Sequence, residues 1–181
     1  MRKVLLSLLI ACFAMNGFAQ LPLTYSTVIH KDGTDAKTLY ELTQNWMAQM
    51  FRDSHTFLQR PGEEITGKGR MAFSTNMQYS SIKGNIDYSI NVQFKDGKLK
   101  LTMSNFNHTP EIIALFNNTM GVLVDSLPKK LDDMGITGVN RKACYKYYFK
   151  HGVPLCKMEF DRMSESLKSF IDNRNATKED W

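Results

Sequence analysis

Several signals are scarce in this chain of 181 residues. After the first nineteen residues no run is apolar and long enough for a membrane helix, which needs about 20 residues. No Gly-x-Ser-x-Gly elbow occurs, and the histidines His30, His55, His108 and His151 stand at no helical i, i+4 spacing, so an elbow hydrolase and a helical zinc site both lack their residues. Cysteine is sparse as well: beyond Cys12 there are Cys144 and Cys156, whose separation is not a zinc-knuckle spacing. The sequence has no internal repeat and no low-complexity tract. Neither a cofactor nor a metal site is implied.

A concentrated excess of positive charge is also missing. From Gln20 to Gly138 twelve Lys and Arg face twelve Asp and Glu, and the surplus, nine against six, lies from Val139 onward. Nucleic-acid binders draw affinity from phosphate neutralisation by a basic face, so a neutral main region argues against that partner.

What is present begins at the amino terminus. Arg2 and Lys3 precede an apolar run from Val4 to Met15, and Gly17-Phe18-Ala19 precedes Gln20, the layout of a cleavable secretory signal. Residues 1–19 are therefore expected to be a signal peptide, and the mature chain to act in the periplasm or outside the cell. Leu9-Ile10-Ala11-Cys12 offers the rival reading, a lipoprotein box with anchoring through Cys12. In an oxidising compartment Cys144 and Cys156 are candidates for a disulfide, with two buried thiols as the alternative.

The middle of the chain alternates. Ile65, Gly67, Gly69, Met71, Phe73, Thr75 and Met77 share one parity, and Ile82, Gly84, Ile86, Tyr88, Ile90, Val92 and Phe94 share the other, giving two long strands with one buried face each. Asp96-Gly97 marks a two-residue hairpin with both turn residues at positive φ. If Lys95 faces Lys98, then Phe94 faces Leu99, Val92 faces Leu101 and Ile90 faces Met103, whereas a one-residue slip would bury lysines. Further strands are expected at Tyr25–His30 and around Thr56 to Arg60, the latter turned at Pro61-Gly62. An amphipathic helix from about Asp35 to Arg52 carries Ala36, Leu39, Tyr40, Thr43, Trp46, Met47 and Met50 on one stripe, with Thr34 or Asp35 as its cap. Thr109-Pro110 is read as the start of a second helix running to Pro128.

The order is β-α-β-β-β-β-α, an α+β antiparallel sheet with helices on one face and a wet opposite face, over residues 20–138. Residues 139–181 are read as a helical hairpin extension, one helix from Asn140 to before Gly152 and another from Pro154 to about Asp172. Polar residues from Asn173 to Trp181 make a frayed tail.

Leu39-Tyr40, Trp46 and Phe51 on the first helix, followed by Ile65-Thr66-Gly67-Lys68-Gly69 at the start of a long strand, resemble exported bacterial domains of unknown function with a TATA-binding-protein-like fold. The resemblance covers roughly Tyr25 to His108 and leaves the region from Val139 outside it. It implies the fold, export and a Gram-negative envelope setting, and it brings no catalytic residues. It does not imply DNA binding, because the polar face lacks a basic, wedge-bearing surface.

Gly67-Lys68-Gly69 lies within a strand rather than between a strand and a helix, so it is not read as a phosphate loop. Glu63 and Glu64 are adjacent on a strand and point to opposite faces, which does not suit shared acid–base work. The candidate partner surface is Arg141, Lys142, Tyr145, Tyr147 and Tyr148. These aromatics are too closely spaced to face one side of a helix, and with the basic residues they suit a protein, glycan or anionic lipid surface. The expected role is a non-catalytic exported binding or envelope-assembly module, its partner an envelope protein or glycan. The alternative is a carrier holding a small apolar ligand between helices and sheet, lined by methionines.

Overall fold

Alternation of apolar and polar residues over long segments forces extended chain, because only a period of two puts all the apolar groups on one side. The computed structural model describes residues 20–51, 58–77, 80–111 and 119–176. In it, β1 (Tyr25–His30), β2 (Leu58–Arg60), β3 (Glu64–Met77), β4 (Ser80–Lys95), β5 (Lys98–Pro110) and β6 (Gly121–Val122) form one antiparallel sheet. Its order is β1-β5-β4-β3-β2, with β6 on β5. Helices α1 (Ala36–Met50) and α2 (Val139–Ala176) pack on one face.

The β4–β5 register is the one that keeps apolar residues together: Phe94 opposes Leu99, Val92 opposes Leu101 and Ile90 opposes Met103. The turn itself differs from expectation, since only Gly97 (φ 74°) has positive φ there and Asp96 does not. The reason is docking: Asp96 Oδ1 accepts from the Ala36 N–H (2.9 Å), and Gly97 N–H donates to the Thr34 carbonyl (2.8 Å). The hairpin tip is thus tied to the start of α1. That start is capped as anticipated, with Asp35 Oδ1 accepting from the Thr38 N–H at 2.7 Å.

Farther along, the pairing shifts between Asp87 and Ser89, where Asn105 adopts φ 57°. This bulge reverses the parity of β5, so that the buried residues change from Leu99, Leu101 and Met103 to Phe106 and His108. Gly69 serves the same packing: a Cβ there would lie 2.3 Å from the Tyr88 ring, so the missing side chain lets Tyr88 lie across β3. The Tyr88 hydroxyl then donates to Glu159 of α2 at 3.0 Å.

Two further expectations fail. Thr109 and Pro110 end β5 instead of opening a helix, and residues 112–118 of the expected helix lie outside the described residues. Past them the chain returns as β6, with Leu123 N–H on the Phe106 carbonyl (2.8 Å), Leu23 N–H on the Leu123 carbonyl (2.9 Å) and Gly121 at φ 76°. Met120, Leu123 and Val124 are buried by this edge pairing, which the helical spacing of their apolar neighbours concealed.

The C-terminal segment is one helix of 38 residues, not a hairpin. Tyr145, Tyr148, Gly152, Cys156, Phe160, Met163, Leu167 and Ile171 form an unbroken buried stripe through the Gly152–Pro154 segment. Pro154 removes one helical hydrogen bond, but it and Lys150 are both exposed, so water can serve the freed carbonyl. A continuous apolar stripe on a continuous sheet face outweighs that single loss. The helix and the sheet share one core, in which Phe106, Tyr88, Trp46 and Tyr148 meet. Among the described residues no helix is both long and apolar enough to cross a membrane. The expected signal peptide and Cys12 lie outside the described residues.

Candidate functional site

With both helices on one face, the other face of the sheet is left open among the described residues. Thr66, Lys68, Arg70, Ser74, Lys83, Asn85, Asp87, Ser89, Asn91, Gln93, Lys100, Thr102 and Ser104 are all exposed or half-exposed there. Cross-strand bonds hold this polar layer in place. Asn91 Nδ2 donates to Thr66 Oγ1 (2.8 Å) and Glu64 Oε2 (3.2 Å), and Asn105 Nδ2 donates to Ser89 Oγ (3.3 Å). Arg70 and Thr109 both donate to the Asp87 carboxylate. Partial burial works upward on the Asp87 pKa, but the bonds from Arg70 and Thr109 outweigh it and hold the carboxyl below its usual range.

At the hairpin end this face dips into an open cleft of about 560 Å³, lined among others by Val28, Arg60, Glu63, Glu64, Gln93, Lys95, Lys98 and Lys100. Arg60 pairs with Glu64 at 3.4 Å. Lys95 stands directly opposite Lys98, and Lys98 directly opposite His30, in one cross-strand row.

The residues proposed from sequence as a partner surface are split by α2. Tyr145 and Tyr148 are fully buried, a correction to their reading as surface groups. Their positions fall on the sheet-facing stripe, and their hydroxyls donate to the Val122 (3.0 Å) and Gly121 (3.4 Å) carbonyls. Burial raises both pKa values, that of Tyr145 to about 12. Arg141 is exposed, Lys142 is held by Asp132 at 2.6 Å, and Tyr147 is exposed with its ring 5.3 Å from that of His151. The structure therefore does not bring the five together.

Cys144 and Cys156 are free thiols, which overturns the disulfide reading. Twelve residues apart on one helix, their Cα atoms are about 18 Å apart, far beyond the reach of a disulfide. Burial pushes the Cys156 thiol up to about 12, so it stays protonated. Among the described residues no three His, Cys, Asp or Glu side chains gather as a metal site.

In the sequence His108 stood out only as a histidine without a metal-site spacing. It is buried at 2% exposure, edge-on to Phe73 and beside Tyr148, with Nδ1 accepting from the Met120 N–H (3.2 Å) and Nε2 buried without a hydrogen-bond partner. Burial lowers its pKa, against a smaller upward effect from the Lys83 backbone. A histidine with a depressed folded-state pKa binds fewer protons than the unfolded chain, so its contribution is whole above about pH 6.5 and declines as the pH falls below that value. Urea midpoints are expected to fall between pH 7.5 and pH 5.5, with a flatter decline in His108→Gln. Equal slopes in the two proteins would rule His108 out as the titrating group.

Comparison with known proteins bears on this geometry. Residues 25–109 match the domain of unknown function (DUF4468) with TBP-like fold. A search of curated proteins finds no match. Two crystal structures are similar. A DUF4468 family protein from Bacteroides ovatus has 14% identity and a TM-score of 0.55, over 81% of this chain and 86% of that one. A TBP-like protein from Parabacteroides distasonis has 10% identity and a TM-score of 0.55, over 81% and 93%. Since 81% of the chain is far more than the matched segment, the structural likeness reaches past residue 109. The one-sided sheet, its helical cover and the matched segment agree: the chain has the TBP-like fold, and its residues 25–109 are similar to the DUF4468 family of domains of unknown function.

Proposed function

We propose that this protein is an exported, non-catalytic binding module that meets an envelope partner with the uncovered face of its sheet. One observation carries the reading: the face opposite the helices is polar and prearranged by cross-strand bonds, with a cleft at one end. A side chain already fixed by its neighbours loses little freedom on contact, so the face is ready for binding. The buried Cys156, Tyr88 and Tyr148 are raised in pKa and enclosed, which suits packing rather than nucleophilic or acid–base work. Export rests on the basic, apolar and small-residue order of residues 1–19. Of the methionines invoked for an apolar carrier, Met47, Met103, Met120 and Met163 are buried in the core.

The test places a photo-crosslinking amino acid at Thr102 on the open face, or at Met158 on the exposed back of α2, in the full chain expressed with its leader. Defined adducts are expected from position 102 and not from 158. Adducts from 158 alone would move the partner to the helix, and adducts from neither would sink the binding reading.

A further inference from the structure

We infer that the cleft at the hairpin end of the open face receives a carboxylate-bearing polysaccharide, an inference that rests on the proposed use of this face for binding. Its charged lining is Arg60, Lys95, Lys98 and Lys100 against Glu63 and Glu64. The Arg60–Glu64 pair is internally neutral, which leaves three lysines against Glu63. Among the described residues no carboxylate pairs with Lys95, Lys98 or Lys100.

Lys95 and Lys98 are directly opposed on neighbouring strands, and His30 continues their row onto β1. Like charges directly opposite destabilise a sheet pair, so the fold carries a repulsion here that a bound anion relieves. The cleft volume lies in the range of small-molecule sites, yet its mouth is open and its walls mix polar and apolar surface, which suits the hydroxyls and C–H faces of part of a hydrated polymer rather than an enclosed apolar ligand.

The surroundings select a saccharide. The next row toward the middle of the face aligns Gln93, Lys100 and Val28, and the one beyond it aligns Thr66, Asn91, Thr102 and Ser26, each directly across from the next. These rows offer hydroxyl and amide groups to sugar hydroxyls, while Val28, 47% exposed, offers an apolar patch to the C–H face of a ring. At about 4.8 Å between strands, the face spans about 19 Å across five strands, enough for an extended chain of several sugars. The described face presents no Phe, Tyr or Trp ring on which nucleic-acid bases could stack.

The experiment titrates the full mature chain by calorimetry with a short oligogalacturonate and with its methyl-esterified counterpart, which keeps the backbone and loses the charge. A single-stranded oligonucleotide and inorganic phosphate are run alongside. The free acid is expected to bind and the ester not, with affinity falling as salt rises. In the Lys95→Gln, Lys98→Gln, Lys100→Gln triple variant the affinity should drop about tenfold, each exposed charge contributing about a factor of two. That variant should melt no lower than its parent, since the substitutions remove mutual repulsion.

Equal binding of the ester, equal binding by the triple variant, or no binding of the acid would each overturn the inference, as would preference for the oligonucleotide or for phosphate. Crosslinks from position 102 without oligogalacturonate binding would defeat the saccharide assignment and leave the binding face standing. Crosslinks from position 158 alone would defeat the face itself.

Discussion

Trp46→Ala is expected to lower the unfolding free energy by about 3–5 kcal/mol, the range for deleting a large aromatic side chain from a packed core. Trp46 is 1% exposed, meets Phe51 edge-on with ring centroids 6.3 Å apart, and donates Nε1–H to Ser166 Oγ at 3.0 Å. It is thus both filler and fastener between α1 and α2. The two roles separate by substitution. Trp46→Phe keeps most of the volume and loses the bond, and Ser166→Ala loses the bond together with the weak one from its hydroxyl to Met50 Sδ, so each should cost about 1 kcal/mol or somewhat more. Urea titration followed by circular dichroism measures all three. A loss under about 1 kcal/mol for Trp46→Ala would mean that α1 and α2 do not depend on each other through this residue, since a cavity of that size cannot close without cost.

Gly84→Ala should be of similar size for a different reason. Gly84 has φ 149°, and a Cβ there would lie 2.2 Å from the Thr109 carbonyl oxygen and 2.9 Å from Pro110 Cα. Both obstacles are backbone, so relief requires β4 and β5 to separate at their far end. Strain at such a φ and overpacking each cost roughly 1–3 kcal/mol, giving an expected loss of about 3–5 kcal/mol together. At Gly69 the obstacle is the Tyr88 side chain, which has some freedom to shift, and the loss there should be smaller. Thermal melts of the two variants decide the order. A Gly84→Ala protein as stable as its parent would mean that β5 does not run beside β4 as far as Pro110.

How much of this was legible beforehand depended on period. The alternation of β4 and the Asp96-Gly97 turn fixed the Ile90–Met103 and Phe94–Leu99 pairings, because a one-residue slip puts lysines inside. The Asn105 bulge was invisible, since one extra residue leaves composition unchanged and only reverses parity downstream. Pro154 misled in the other direction: a helix breaker in isolation, it was overridden by a buried stripe that continues on both sides of it. The aromatic cluster was read as surface because four rings in five residues cannot share one helical side. In the structure Tyr145 and Tyr148 take the buried stripe, Phe149 lies at its margin and Tyr147 turns outward. The cleft had no signal of its own. Its lysines are ordinary strand residues one by one; the hairpin sets Lys95 against Lys98, and only the pairing of β1 with β5 adds His30 and Val28 beside them.

The position of α2 in the chain carries a consequence for the history of each molecule. The sheet meander is complete by Pro110, yet part of its apolar face, including Phe73, Tyr88 and Phe106, is roofed by a helix that begins only at Val139. A nascent chain emerging amino terminus first holds that face unroofed until its final segment is free. The last stretch to be made is then the one that closes the core. Such a molecule reaches its final form late, after synthesis or passage is nearly finished, and a premature stop in the closing quarter leaves an adhesive sheet rather than a smaller working protein.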